Sequence, residues 1–312
     1  MLVLLLLLAA PLFAQDTKPD LDELWRVGSL WEVGDNPPKV RAARQAIIDA
    51  GEDGLNYALG KLETTDGLQL RCLNAVILGF GKAAIEPLSK HIAHTSPVAR
   101  RTVADLLLSL DARDTAAKLL VQAKVETADG ARLAQVKALA TWHHRECVPL
   151  LIDLSRVENQ RVRNAAPALL AKFDESAPAA RLMEMLEDAV YHVRDAAAEA
   201  LKAATVGARR QCLSRLIEVL PFEDKAGLAR RLLPIVATLA DEQTLPVLRK
   251  ALGHSAPGVR ADAARALAGW RKGAGALELV DVNALLSKAA SAEPDPFAKA
   301  EIQAALEALT EK

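Results

Sequence analysis

The feature that most constrains the fold is an arginine that recurs at a nearly constant interval. It opens an Ala-rich stretch in each case, as in Val193-Arg194 and Val259-Arg260, and successive copies are 30 or 31 residues apart with one wider gap of 36. The eight arginines are Arg41, Arg71, Arg101, Arg132, Arg163, Arg194, Arg230 and Arg260. A fixed period of this length is typical of repeat architectures. Because arginine opposes the helix dipole in a first turn, we expect it to bond a neighbouring repeat's turn.

Aromatic and proline positions keep the same period. Phe80 and Trp142 are 62 residues apart, as are Pro87 and Pro149, which equals two units of 31. Pro246 opens a further copy. We predict that the aromatic residues plug the gap between paired helices and are buried. The four in this position are Phe80, Trp142, Phe173 and Trp270.

Each unit has the pattern of two short helices. Apolar residues recur at helical spacing in the first, as in Val162, Ala165, Ala166 and Leu169, and a proline marks the first turn of the second. The chain is 51% hydrophobic but only 4% aromatic, so its core consists mainly of Leu, Ala and Val. Such a composition favours an all-α fold.

The pattern V-R-x-x-A-A-x-A-L, a turn, and then A/V-P-x-L resembles the short bacterial type of HEAT repeat. Its best copies comprise Val193, Arg194, Ala197, Ala198, Ala200 and Leu201, and Val259, Arg260, Ala263, Ala264, Ala266 and Leu267. The resemblance implies a right-handed α-solenoid, an ARM/HEAT-type superhelix, of about eight two-helix repeats over residues 37–290. It implies a scaffold that serves many different partners, and so it names no single function.

Residues 1–14 form an apolar run that ends at Ala14 and is followed by polar residues from Gln15. The run is shorter than the ~20 residues of a transmembrane helix and suits the hydrophobic region of a signal peptide. We therefore expect an exported protein, periplasmic or secreted, whose mature chain begins near Gln15. The alternative is a buried N-terminal helix.

Both ends of the array differ from the repeats. We expect residues 15–36 to form an N-terminal capping segment with Trp25 and Trp31 on a short helix, and residues 291–312 to form a C-terminal capping helix. Residues 273–281 depart from the repeat pattern and are predicted to form a distorted turn.

Export would permit disulfides, but the chain has three cysteines, an odd number. Cys72, Cys147 and Cys212 are 75 and 65 residues apart, about two repeats in each case. Two repeats span roughly 20 Å, whereas a disulfide needs Cα atoms within about 7 Å. We predict three buried thiols.

The cluster His143-His144-Arg145-Glu146-Cys147 has residue types that bind zinc or copper. The repeat offers a simpler interpretation, because His144 and Cys147 align with Asp241 and Thr244 of another copy. We predict an ordinary turn, with a metal site as the alternative.

Three further sequence patterns could carry chemistry. His91 and His94 form an H-x-x-H pair that could chelate a metal, although a solvated helix end is the preferred interpretation. The stretch Gly79-Phe80-Gly81-Lys82 lacks the remaining residues of a phosphate-binding loop. A HEAT-like di-iron hydroxylase would show His-Glu dipeptides, and none of the six histidines is followed by Glu. No pattern indicates a cofactor.

The candidate binding surface is the solvent-facing row of the second helices, which line the concave face in HEAT-type solenoids. Stepping along the repeat gives His91, Gln122, Asp153, Glu184, Arg215 and Lys250. The row is neutral, then acidic, then basic, and the net charge of the chain is −1. It therefore lacks the run of Lys and Arg that a nucleic-acid groove needs.

Two hypotheses follow. The favoured one is an exported, non-enzymatic scaffold or adaptor that binds a protein or peptide along the concave face, without nucleic acid and without stable membrane insertion after signal cleavage. The other is a metal-handling or lyase-like enzyme built on the same repeats, with His143, His144, Cys147 or His91 and His94 as its ligands. The sequence leaves the partner and the oligomeric state open.

Overall fold

The computed structural model describes residues 18–274 and 282–310, so the predicted signal segment 1–14 lies outside the described residues. Regular structure in these two ranges is helical throughout, without a strand. The contacts divide the chain into two compact units, Met1–Ala112 and Arg113–Lys312.

The described part of the N-terminal unit, from residue 18 onward, contains six α-helices. In this unit α1 packs on α2, α2 packs on α4, and α4 packs on α6. A 3₁₀ turn at Gly81–Ala84 joins α4 to α5. The helices are α1 (Leu21–Gly28), α2 (Asn36–Asp49), α3 (Gly51–Leu59), α4 (Gly67–Phe80), α5 (Ile85–Ser89) and α6 (Pro97–Ser109).

The C-terminal unit continues the alternation of helices. Here α8, α10, α12, α14 and α16 each pack on the next, and α18 packs on α16. A second layer forms where α9 contacts α11 and α11 contacts α13. The helices are α7 (Ala116–Val125), α8 (Asp129–Thr141), α9 (Val148–Leu154), α10 (Gln160–Leu170), α11 (Ser176–Met185), α12 (Tyr191–Ala203), α13 (Val206–Val219), α14 (Ala226–Ala237), α15 (Leu245–Ala251), α16 (Pro257–Ala274), α17 (Val282–Ala292) and α18 (Pro296–Thr310).

These helices follow the predicted repeat. The even-numbered helices from α2 to α16, here called A helices, contain the recurring arginines, and each is followed in the chain by a B helix, α3 to α17. Within each unit, stacking of successive A helices buries apolar stripes that a single helix pair would leave exposed. The prediction of an all-α solenoid is confirmed.

The one wide gap between arginines has a local cause. Helix α13 has 14 residues, whereas α9, the B helix two repeats earlier, has seven. The longer helix lies between Arg194 and Arg230, where the arginine spacing rises to 36 residues. The expanded gap is therefore a longer B helix within an otherwise regular array.

Three of the recurring arginines, Arg163, Arg194 and Arg260, bond the turn that precedes their A helix. Arg163 Nη1 donates to the carbonyls of Val157 and Glu158 at 2.7 and 3.1 Å, and its Nε donates to Asp188 Oδ2 of the next repeat at 3.0 Å. Arg194 and Arg260 bond the carbonyls five and six residues before them in the same way. Arg163 thus ties consecutive repeats together, as expected from its position in the sequence.

In the third repeat a different arginine has this role. Arg100 Nη1 donates to the carbonyls of His94 and Thr95 at 2.7 and 2.8 Å. Arg101, which the regular spacing selects, instead lies 3.9 Å from Asp105 on the exposed side of α6. The spacing rule was therefore wrong by one residue, because Arg100 is the residue four positions after the N-cap Ser96.

Three of the four predicted aromatic plugs are buried. Trp142, Phe173 and Trp270 are 8%, 6% and 2% exposed. Trp270 also donates from Nε1 to the carbonyl of Asp241 at 2.9 Å. Phe80 is only partly buried, because α4 ends there and Gly81 turns the chain away with a φ of 56°.

The three cysteines are free and buried, as predicted. Each lies on or beside a helix face that packs into the core, where burial disfavours the charged thiolate. Burial raises the pKa of the Cys147 and Cys212 thiols to about 12 and raises that of Cys72 as well.

The N-terminal segment differs from the expected helix. Helix α1 ends at Gly28, and it buries Trp25, while Trp31 lies beyond the helix and is 51% exposed. The Arg71 guanidinium lies 4.7 Å from the centre of the Trp31 ring. The prediction that Trp31 belongs to the capping helix was therefore wrong, since Ser29 already caps its end.

At the C-terminal end, α18 follows the break at Pro294 and Pro296 and packs on both α16 and α17. Of the predicted distorted turn at 273–281, Gly273 and Ala274 belong to helix α16. Residues 275–281 lie outside the described residues.

One stretch of the described chain, Gly67–Ser89, has the length and mean hydropathy, 1.3, of a membrane-spanning segment. It is interrupted, because α4 ends at Phe80 and a 3₁₀ turn precedes α5. Cys72, Val76 and Leu88 of this stretch are fully buried in the unit.

Candidate functional site

The six residues of the predicted binding row are all accessible to solvent, wholly or in part. His91 follows α5 in the N-terminal unit, and the other five lie on B helices of the C-terminal unit. Those five are Gln122 on α7, Asp153 on α9, Glu184 on α11, Arg215 on α13 and Lys250 on α15.

The acidic members of the row are paired with arginines of the same unit. Arg181 Nη1 donates to Glu184 Oε2 at 2.7 Å, and Arg156 lies 4.0 Å from the same oxygen. Asp153 lies 3.4 Å from Arg132 Nη2. Arg181 is itself held by Ser155, because its Nε and Nη2 donate to the Ser155 hydroxyl and carbonyl. The acidic stretch therefore has a local positive complement.

The basic members differ from each other. Arg215 Nη1 donates to Glu218 Oε2 at 2.9 Å on the same helix. Lys250 forms no ion pair within the described part of the chain. These ion pairs weaken the change from acidic to basic charge that was predicted along the row. The pairs Arg181–Glu184 and Arg215–Glu218 could have been predicted from the sequence, because their members are three residues apart on one helix.

The same B helices carry large apolar side chains in solvent, which the sequence reasoning missed. Val121 and Val125 on α7 are each 67% exposed, and Ile217 on α13 is 50% exposed. Leu120 and Ala123, on the opposite side of α7, are buried. Val121 and Val125 are four residues apart, and this second apolar stripe on α7 could have indicated the surface from the sequence.

A cavity of about 450 Å³ lies beside His91 in the N-terminal unit. His91 and His94 line it together with Glu63, and their ring centres are 5.8 Å apart. His94 Nδ1 accepts from the Ser96 backbone N–H at 3.1 Å and lies 3.6 Å from Glu63 Oε1. Burial, together with the charge of His94, lowers the pKa of His91, so protonation of His91 is disfavoured.

The His143–Cys147 cluster forms a turn, as predicted. The Cys147 N–H donates to the His144 carbonyl at 3.0 Å, and a 3₁₀ turn leads into α9. In the aligned copy Asp241 Oδ1 accepts from the backbone N–H of Thr244 at 3.1 Å, so both segments start a B helix. The ring of His143 points towards Phe173, with centres 6.4 Å apart.

Within residues 18–274 and 282–310, no group of three or more His, Cys, Asp or Glu side chains has the geometry to bind a metal ion. His144 Nδ1 is buried there without a hydrogen-bond partner. Neither the His143–Cys147 cluster nor the His91–His94 pair belongs to such a group among the described residues.

Residues 126–202 match the family model described as HEAT repeats. This part of the chain consists of HEAT repeats. It begins just before α8 and includes Arg132, Arg163 and Arg194 of the recurring set. The resemblance drawn from the Val-Arg and Ala-rich pattern is confirmed, and no curated protein matches the chain by sequence.

Several solved structures are similar to the chain at low sequence identity. An engineered protein is 20% identical, covers 93% of this chain and 84% of its own, and gives a TM-score of 0.48. YibA of E. coli is 20% identical, with 80% and 92% covered and a TM-score of 0.48. Human deoxyhypusine hydroxylase in complex with glycerol is 19% identical, with 88% and 100% covered and a TM-score of 0.32.

Proposed function

We propose that the protein is an exported, non-enzymatic scaffold that binds another protein or peptide along the exposed faces of its B helices. The observation that carries the proposal is the set of large apolar side chains on those faces, Val121, Val125 and Ile217, beside the polar row. Exposed apolar groups rimmed by charges are typical of protein interaction sites.

HEAT repeats support a role in protein interaction, since stacked repeats present an extended surface. The mixed charges of Asp153, Glu184 and Arg215 suit a polypeptide better than a nucleic acid, whose phosphates require a basic groove. Export rests on the apolar segment 1–14, and removal of that segment would leave a chain without membrane insertion.

Charge reversal on the polar row tests the proposal. We expect Glu184→Lys to reduce capture of the partner about tenfold at low salt, because the new lysine would lie beside Arg181 and Arg156 and invert the local charge. Arg215→Glu is expected to act in the same direction beside Glu218. Both effects should shrink at high salt, where exposed charges are screened.

The matched control is Glu199→Lys. Glu199 is 72% exposed and accepts from Lys202 at i,i+3, as Glu184 does from Arg181, but it lies on the A helix α12. Capture is measured with the purified variants at two salt concentrations. Equal capture by the Glu184→Lys, Arg215→Glu and Glu199→Lys variants would refute a binding role for the row.

A further inference from the structure

Several turns that lead from a B helix into the next helix share one kind of hydrogen bond. The side chain that starts the turn accepts from the backbone N–H two residues further on. Carboxylates do this in three turns, where Glu126, Asp188 and Glu293 accept at 3.0, 2.8 and 3.0 Å. An ionised carboxylate offers only acceptors, so these turns keep their bond as long as the side chain stays charged.

Two further turns have a histidine at this place. His94 Nδ1 accepts from the Ser96 N–H at 3.1 Å, and His254 Nδ1 accepts from the Ala256 N–H at 3.0 Å. An accepting Nδ1 carries no proton, so the proton of each neutral ring is on Nε2. Histidine is the side chain that changes its charge between about pH 5 and pH 8. The two histidine turns can therefore lose their acceptor on mild acidification.

The preceding A helix explains why a neutral ring is tolerated at residue 94. In the C-terminal unit Arg163, six residues after Val157 at the start of its own turn, donates from Nε to Asp188 Oδ2 of the next turn at 3.0 Å. In the N-terminal unit the earlier turn starts at Thr64, which accepts from the N–H two residues later, and the position six residues on is Leu70. This position therefore requires no carboxylate in the following turn.

Three charged or titratable groups lie near the His94 ring. Glu63 Oε1 lies 3.6 Å from Nδ1, and the ring centre of His91, which lines the same cavity, is 5.8 Å away. Arg100 Nη1 donates to the His94 carbonyl at 2.7 Å. The Glu63 carboxylate favours a charged ring, whereas the charge of Arg100 opposes it. Burial lowers the pKa of His91, so a second charged imidazole is disfavoured at this place.

The two contacts of His94 Nδ1 exclude each other. A neutral Nδ1 accepts from Ser96, but a protonated Nδ1 is a donor and repels the Ser96 N–H. Glu63 Oε1 is then the nearby acceptor, since its 3.6 Å separation is only slightly longer than the ~2.7–3.2 Å of an N–H···O bond. Glutamate side chains remain ionised at about pH 5, where histidine is charged. One nitrogen therefore has two alternative partners, selected by a proton.

We propose that the turn at residues 94–96 is an acid-sensitive joint between α5 and α6. A proton from solvent moves His94 Nδ1 from the Ser96 N–H to the Glu63 carboxylate. The Ser96 N–H, at the N-cap of α6, is then released to solvent. The carboxylate turns keep their bonds at the same pH. The inference goes beyond the proposed function and does not depend on a partner.

The test is an NMR measurement on the purified protein. Protection of the Ser96 amide from hydrogen exchange, relative to its intrinsic rate, is compared at about pH 7 and pH 5. We expect protection to fall about tenfold in acid, the ratio that corresponds to one lost hydrogen bond. The ¹⁵N signals of the His94 ring should show an unprotonated Nδ1 at the higher pH and a proton on both nitrogens at the lower.

Two variants separate the acceptor from the charge. His94→Asn supplies an amide oxygen that accepts from the N–H two residues later and does not titrate, so the Ser96 amide should keep its protection in acid. Glu63→Gln removes the charged partner of the protonated ring, so release of Ser96 should require a lower pH. Ala256 is the internal control, because His254 forms no ion pair among the described residues. Its acid response should be the same with and without Glu63.

Unchanged protection of Ser96 when the His94 ring becomes protonated would overturn the proposal. So would an equal acid response in His94→Asn, because that variant has no titrating acceptor. A pH dependence in Glu63→Gln equal to that of the unchanged protein would show that the carboxylate does not receive Nδ1, and it would also contradict the proposal.

Discussion

Replacing Trp142 by alanine is expected to lower the free energy of unfolding by about 3–5 kcal/mol. The ring is 8% exposed and closes the end of α8, so its loss leaves a cavity that the neighbouring helices fill only in part. Its Nε1–H has no hydrogen-bond partner in the described residues. The expected loss of stability therefore comes from the apolar contacts of the ring. Urea unfolding followed by far-UV circular dichroism measures it.

Trp31→Ala is the matched control. The Trp31 ring is 51% exposed and meets the Arg71 guanidinium at 4.7 Å, so its removal is expected to cost about 1 kcal/mol or less. Similar losses in the two variants would contradict the burial of Trp142 and the repeat alignment that placed it there.

Replacing Arg260 by methionine is expected to cost about 3–5 kcal/mol at neutral pH. Arg260 Nε and Nη2 donate to the two oxygens of Glu293 at 2.7 and 2.5 Å, and the Glu293 side chain is 3% exposed. The methionine would leave this carboxylate buried without its partner and would free the carbonyls of His254 and Ser255.

The effect of Arg260 should depend on pH. Its hydrogen bonds hold the pKa of Glu293 below the ordinary value of 4.5. The contribution is therefore complete above pH 4.5 and is lost as the pH falls through the lowered pKa of the folded protein. In urea unfolding at a series of pH values, the difference between Arg260→Met and the unchanged protein should shrink in acid.

Arg265→Met is the control for this pair. Arg265 also bonds carboxylates, Asp262 and Glu301, but its side chain is 49% exposed. Its replacement is expected to cost at most about 1 kcal/mol, as for other exposed ion pairs. A loss as large as that of Arg260→Met would show that burial of Glu293 is not what makes the inner pair strong.

Sequence patterns predicted the repeat because apolar spacing decides which side of a helix is buried. The array, the three buried thiols and the turn at His144 all follow from aligning one copy on another. The wide gap could be counted but not explained, since only the structure assigns it to a longer α13.

Features that depend on neighbours were harder to predict. Arg100 and Arg101 are adjacent, and only the distance from the N-cap Ser96 selects the one that bonds the turn. The pairing of Asp153 with Arg132 joins residues from two different helices, and a row read along one position cannot show it. The contact between His94 and Glu63 joins two different turns, so no single motif indicates it.

Site-specific photo-crosslinking most directly tests the claim that the B-helix faces bind a polypeptide. The photoreactive residue p-benzoylphenylalanine is placed at Gln122 on α7, at Glu184 on α11 and, as a control, at Glu199 on the A helix α12. The protein is irradiated in the cells that produce it, and covalent adducts are identified by mass spectrometry. We predict one shared polypeptide partner from the two B-helix positions and none from position 199. Adducts from position 199 alone, or no adduct from either B-helix position, would contradict the account.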